Sequence, residues 1–212
     1  TQLTLIGVTG TNGKTSVTYL LKSILKEAGY KVGIIGTIEN QIDEEVVPSD
    51  VTTPESRDLQ ELLSRMVEKG CHFCLMETSS HALYLDRVWS IPFTGAIFTN
   101  LTQDHLDFHK SLEEYLEAKM LLFRRLGTNS FAVINQDDPA SEKIIPVCPG
   151  KIVTYGLKEK ADLFPQDITS TIAGTSFRLE IDGELRTISL GMLGEFSIYN
   201  SLAAIGAAIE LG

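Results

Sequence analysis

The segment Leu3-Thr-Leu-Ile-Gly-Val-Thr-Gly-Thr-Asn-Gly-Lys-Thr-Ser16 passes from an apolar run through a glycine-rich turn into a Lys-Thr pair. An amphipathic stretch follows at once: Val17, Leu20, Leu21, Ile24, Leu25 and Ala28 share one helical face, and Gly29 ends it. Strand, glycine loop and helix in that order surround one point with backbone N–H groups, a lysine ammonium and a helix N-terminus. Nucleotide phosphates need that environment. Lys14 would reach the outer phosphates and the Thr15 hydroxyl would hold magnesium. The general phosphate-loop pattern wants glycine where this chain has Val8, and a plain surface turn before a helix is the alternative. Val32-Gly-Ile-Ile-Gly36 reads as a buried second strand, completing a βαβ unit.

The remaining periodicity extends this into an α/β architecture. Leu59, Leu62, Leu63, Met66 and Val67 mark a helix ended by Gly70, and Leu112 to Leu126 mark another. Phe73–Met76, Gly95–Thr99, Phe131–Ile134 and Ile152–Tyr155 read as strands, with a short helical stretch near Ser141. Alternation of this kind predicts a mostly parallel sheet with helices on both faces over 1–156. After Gly156 the period shortens to two at Phe177, Leu179 and Ile181, and Asp182-Gly183 is a hairpin turn. A small antiparallel sheet plus a final helix carrying Ile198, Leu202, Ile205 and Ile209 is expected over 157–212.

A formal net charge of -10 disfavours nonspecific nucleic-acid binding. No apolar run approaches the roughly 20 residues of a membrane span. Cys71, Cys74 and Cys148 suit a reducing, cytoplasmic setting better than a disulfide framework. Cys71 and Cys74 would face opposite sides of a strand, and no second pair exists to complete a zinc site. The chain opens on Thr1 and reads as one domain of a longer, monomeric protein.

Further residues can carry chemistry. Stepping about 100° per residue puts Lys119 in the middle of an apolar face formed by Leu112, Tyr115, Leu116, Leu122, Phe123 and Leu126. A desolvated amine there would lose its proton more readily and could form a carbamate with carbon dioxide. The alternative is a stem packed on its neighbours with the ammonium in water. Glu77, at the carboxyl end of a strand, could hold magnesium or cap the next turn. Thr99 to His109 gathers two histidines and two aspartates. The i, i+4 spacing of His105 and His109 is weak evidence for zinc, and one histidine near the phosphates is easier to defend. Thr53, Pro54 and Glu55 suit a helix start, which could also receive an anion. Arg87 is either an anion clamp or a surface arginine.

Taken together, these segments resemble the central ATP-binding domain of the Mur ligases. The likeness is carried by Thr9-Gly-Thr-Asn-Gly-Lys-Thr15, Thr52-Thr-Pro54, Glu77-Thr-Ser-Ser-His-Ala82, Thr99-Asn-Leu-Thr-Gln-Asp-His-Leu-Asp-Phe-His109, Glu117-Ala-Lys119, Asn135-Gln-Asp-Asp-Pro139 and Gly194-Glu-Phe-Ser-Ile-Tyr-Asn200. Val8 is normal in that family's loop. Within it the chain looks most like MurE-type enzymes, which add a diamino acid to UDP-N-acetylmuramoyl-L-alanyl-D-glutamate through an acyl phosphate. The resemblance implies ATP held by Gly10, Thr11, Asn12, Gly13, Lys14, Thr15, Ser16, Asn100 and Asn200. It implies magnesium on Thr15, Glu77, His105 and a carbamate on Lys119, with Lys14, His105 and Lys119 serving catalysis. Thr52, Thr53, Ser79 and Arg87 would contact the muramoyl dipeptide. Ser197 stands where the family often has asparagine, and Leu85 where some members use a polar contact. A folylpolyglutamate- or cyanophycin-synthetase-type ligase and a non-ligating nucleotide module are the competing readings.

Overall fold

The computed structural model describes residues 3–103 and 108–212. In chain order the elements are β1 (Thr4–Thr9), α1 (Lys14–Glu27), β2 (Val32–Ile35), β3 (Asn40–Ile42), β4 (Glu45–Val47), α2 (Ser56–Glu68), β5 (Phe73–Glu77) and α3 (Ser80–Tyr84). There follow β6 (Gly95–Phe98), α4 (Leu112–Arg124), β7 (Phe131–Asn135), α5 (Ser141–Ile144), β8 (Lys151–Tyr155), β9 (Gln166–Thr171), β10 (Gly174–Ile181), β11 (Glu184–Leu190) and α6 (Glu195–Leu211).

Eight strands form the main sheet in the order β4-β3-β2-β5-β1-β6-β7-β8, and the last three form a separate antiparallel sheet. From β2 to β8 all pairings in the main sheet are parallel. β1 and β2 are not neighbours: β5 lies between them, with Ile6 and Ile34 both paired to Leu75. That insertion sets Glu77, the last residue of β5, between the ends of the two strands flanking it.

Strand alternation sorts the core into two layers. On one face Leu59, Leu62 and Met66 of α2 and Leu116, Leu122 and Phe123 of α4 cover Leu5, Met76, Phe98 and Ile134. On the other, Val17, Leu21 and Leu25 of α1 and Ile198 and Leu202 of α6 cover Ile6, Val8, Leu75, Ile97 and Val133. Each such burial is worth about 1.5–3 kcal/mol, so both helix layers hold the sheet. Phe177 and Leu179 of the small sheet join the second layer.

Several expectations need correction. Ile24 is 38% exposed, while Thr18 and Lys22 turn inward. The α1 stripe is rotated because Lys22 Nζ crosses to the β3–β4 hairpin, donating to Gln41 Oε1 and the Asp43 carbonyl. That hairpin and β9 carried no clear periodic signal in sequence. Val67 and Ile209 are exposed. Cys71 precedes β5, so it shares a core layer with Cys74 instead of opposing it. Both thiols are free and buried, and burial pushes their pKa values up. Thr53 does not cap α2. The helix begins at Ser56 after Glu55, and no side chain caps it.

Candidate active site

Gly10 and Gly13 shape the phosphate loop. Their φ values of 147° and 88° suit glycine, and a Cβ would run into the Thr99 hydroxyl at Gly10 and the Asn200 amide at Gly13. Gly13 therefore precedes α1 without a side-chain cap, and the helix has no acidic residue in its first turn. Its positive end stays uncompensated, which suits an anion. Lys14 Nζ donates to the carbonyls of Gly10 (3.0 Å) and Thr11 (2.9 Å). Ser16 is exposed on the first turn.

Three later segments converge on this loop. The Thr15 hydroxyl donates to Glu77 Oε2 at 3.0 Å. Thr37 adds its amide to Oε1 at 3.2 Å and its hydroxyl to Oε2 at 2.9 Å. Glu77 is 1% exposed, and among the described residues no lysine or arginine pairs with it. Lys119, also 1% exposed, donates to the Gly10 carbonyl at 3.0 Å and lies 4.2 Å above the Tyr115 ring. Its ammonium thus points to the loop and not to bulk water. The Tyr115 hydroxyl lies 3.4 Å from Thr11 Oγ1.

Hydroxyl and carboxylate oxygens suit magnesium, which keeps waters and needs few protein ligands. Among the described residues no three His, Cys, Asp or Glu side chains cluster as a cage. A buried carboxylate held only by neutral donors, beside a threonine hydroxyl, fits such an ion. His105 lies outside the described residues. His109 is not on a helix; it is buried, with Nε2 2.9 Å from Ser80 Oγ and its ring tilted against Tyr115 at 5.2 Å.

A cavity of about 450 Å³ opens beside the loop, walled by Asn12, Asn100, Asn135, Tyr155, Phe196 and Asn200 among others. Asn100 is fixed by accepting from the Asn12 amide (2.9 Å) and donating to its carbonyl (3.1 Å). Asp137 fastens the far wall. Its carboxylate accepts from the Tyr199 hydroxyl at 2.6 Å and from the amides of Leu157, Lys158 and Glu159. Burial pushes this carboxyl up, but those four donors outweigh it and hold it below its ordinary value. Burial and the Asp137 hydrogen bond push the Tyr199 hydroxyl up.

On the other side of Glu77, Thr53 Oγ1 donates to the Glu77 carbonyl at 2.8 Å and accepts from the Ser79 amide at 3.1 Å. These bonds, not a helix cap, occupy the hydroxyl. Ser79 caps α3 through the Ala82 amide at 3.2 Å. Arg87 donates Nη1 to the Thr53 carbonyl at 3.1 Å and pairs Nη2 with Glu55 at 2.6 Å. Among the described residues its buried Nε has no hydrogen-bond partner, leaving a donor an anion could use. Thr53, Ser79 and Arg87 therefore form one bonded group at the end of β5, and the Thr52 hydroxyl lies 3.1 Å from that of Thr37 beside the carboxylate. Thr37 escaped the sequence reading, which had Tyr115 only as an apolar-face residue and Asp137 only inside the Asn135–Pro139 motif, with no role given to either. Thr37 left a signal by following a parallel strand's carboxyl end, where such sheets bind ligands.

The Mur ligase middle domain matches residues 8–208. The UDP-N-acetylmuramoyl-L-alanyl-D-glutamate–2,6-diaminopimelate ligase of Caldanaerobacter subterraneus subsp. tengcongensis is 51% identical over 211 residues, all of this chain and 43% of that protein. A Clostridium acetobutylicum ligase of the same name, numbered 1, is 47% identical over the same span and share. A solved structure of such a diaminopimelate ligase superposes with a TM-score of 0.87 at 32% identity, covering 98% of this chain and 43% of that one. The chain thus spans less than half the length of the relatives it matches.

Proposed function

Because this chain belongs to the Mur ligase family through its middle domain, we propose that it is the ATP-handling part of a ligase joining diaminopimelate to UDP-N-acetylmuramoyl-L-alanyl-D-glutamate in peptidoglycan synthesis. The substrate pair is carried over from the names of relatives as similar as 51%. One observation supports the reading above all. Thr15, Glu77 and Lys119, contributed by three distant segments, meet at the phosphate loop. A non-ligating nucleotide module would not need a buried lysine there.

The chain's residues divide the work. The Gly13 amide, the first-turn amides of α1 and the Lys14 ammonium would cradle the β- and γ-phosphates, drawing Lys14 off the carbonyls it now contacts. The nucleoside would take the cavity between Asn100 and Asn200. Thr15 and Glu77, with His105, would hold magnesium, which supplies charge neutralisation between phosphoryl oxygens and the substrate carboxylate. Thr52, Thr53, Ser79 and Arg87 would orient the dipeptide so that its free carboxylate faces the γ-phosphoryl group in line. Transfer then needs positioning and charge neutralisation more than covalent help. The carboxylate oxygen bonds to phosphorus as ADP leaves, and the incoming amine displaces phosphate from the acyl phosphate to give the amide. Lys119, as a carbamate, would be a further anionic metal ligand.

The test is phosphate release from ATP by a full-length ligase carrying this chain. Release should require both the muramoyl dipeptide and diaminopimelate. Release supported by a folate and glutamate, and not by these substrates, would contradict the proposal.

A further inference from the structure

Thr37 stands two residues beyond β2, exposed to solvent apart from its polar contacts. Its amide and hydroxyl reach the two separate oxygens of Glu77, at 3.2 and 2.9 Å. Its Oγ1 also lies 3.1 Å from Thr52 Oγ1. A hydroxyl has one proton, and a carboxylate can only accept. The Thr37 proton therefore points to Glu77, and the Thr52 hydroxyl is the donor to Thr37. The chain of bonds runs Thr52 to Thr37 to Glu77. Gly36 presses the same turn onto the carboxylate: a Cβ there would stand 2.5 Å from Glu77 Oε1.

The final torsion of a glutamate side chain is broad and nearly two-fold. The plane of the Glu77 carboxylate is therefore set by its donors, and two of the three come from Thr37. We propose that Thr37 is a positioning residue: it aims the Glu77 carboxylate beside Thr15, so that the pair presents oxygens to a divalent cation on the nucleotide. This rests on the metal reading given above and adds a residue outside every recognised motif.

The experiment is calorimetric titration of the chain with ADP, once with magnesium and once with a chelator. Thr37→Val keeps the amide and the branched shape but removes the hydroxyl. Losing one charge-assisted hydrogen bond should weaken magnesium–ADP binding about tenfold and leave chelated ADP within about twofold. Thr37→Ser should return the affinity to within about threefold of the parent. A valine variant with the parent's magnesium–ADP affinity would overturn the proposal. Equal losses with and without magnesium would also overturn it, since they would mark Thr37 as merely structural. If the unmodified chain gains no affinity from magnesium, the metal reading falls and the proposal falls with it.

Discussion

Replacing Lys119 with methionine separates what the lysine does for the fold from what it does for the chemistry. Among the described residues the ammonium donates to the Gly10 carbonyl at 3.0 Å and lies 4.2 Å from the Tyr115 ring. Such a bond is worth about 1.5–3 kcal/mol and a desolvated cation–π contact about 2 kcal/mol. Against them stands a dehydration penalty of several kcal/mol for a buried ammonium. These contributions and the penalty are of similar size. Methionine fills similar space without a polar group. The Gly10 carbonyl is not orphaned, because Lys14 Nζ also donates to it at 3.0 Å. Lys119→Met should therefore stay within about 1 kcal/mol of the parent, about 2–4 °C in melting temperature for a chain of this size. Ligation by the full-length protein should fall at least about a thousandfold, near 4 kcal/mol of activation free energy. Thermal melts and single-turnover kinetics measure the two. A variant destabilised by more than about 3 kcal/mol that still ligates would refute the reasoning, since the lysine would then be a structural element.

Other expectations follow from the same geometry. Lys14→Ala should lower calorimetric ATP affinity by about tenfold or more, the scale of one lost contact to a charged phosphate; unchanged affinity would deny the phosphate contact. Arg87→Ala in the full-length ligase should raise KM for the muramoyl dipeptide with little change in KM for ATP, and a reversed pattern would move Arg87 to the nucleotide side. Asp137→Asn should destabilise the chain by about 1–2 kcal/mol at pH 7, after discounting its hydrogen bonds for partial exposure. The folded carboxyl lies below its ordinary value, so its stabilisation is present above about pH 4 and lost as pH falls through the folded pKa. Parent and variant melting temperatures should converge in acid, and a gap persisting below about pH 2 would contradict that sign.

The parts of this molecule legible in sequence are those that one segment specifies alone. The apolar run before Gly7, the turn through Gly13 and the Lys14–Thr15 pair form a local pattern, and β1 and α1 fold as it demands. Lys119 was legible for the same reason, because helical stepping places it among Tyr115, Leu116 and Phe123, where it is buried. What could not be read depended on distant partners. Thr53 looks like a helix cap until the Glu77 carbonyl and the Ser79 amide are brought to its hydroxyl. The β3–β4 hairpin is held by Lys22 and Lys26 of α1 and by Arg65 of α2 reaching Glu45, with Ile42 as its one fully buried apolar side chain. Asp137 takes three amides and Tyr199 only once α6 has packed back onto the parallel sheet.

The most direct measurement is a crystal structure of this chain with magnesium and a non-hydrolysable ATP analogue. The γ-phosphate should lie within hydrogen-bond reach of Lys14 Nζ, with the cation on Thr15 Oγ1 and Glu77 and Lys119 facing it. A nucleotide seated away from Gly13, or a cation with no contact to Glu77, would contradict the account.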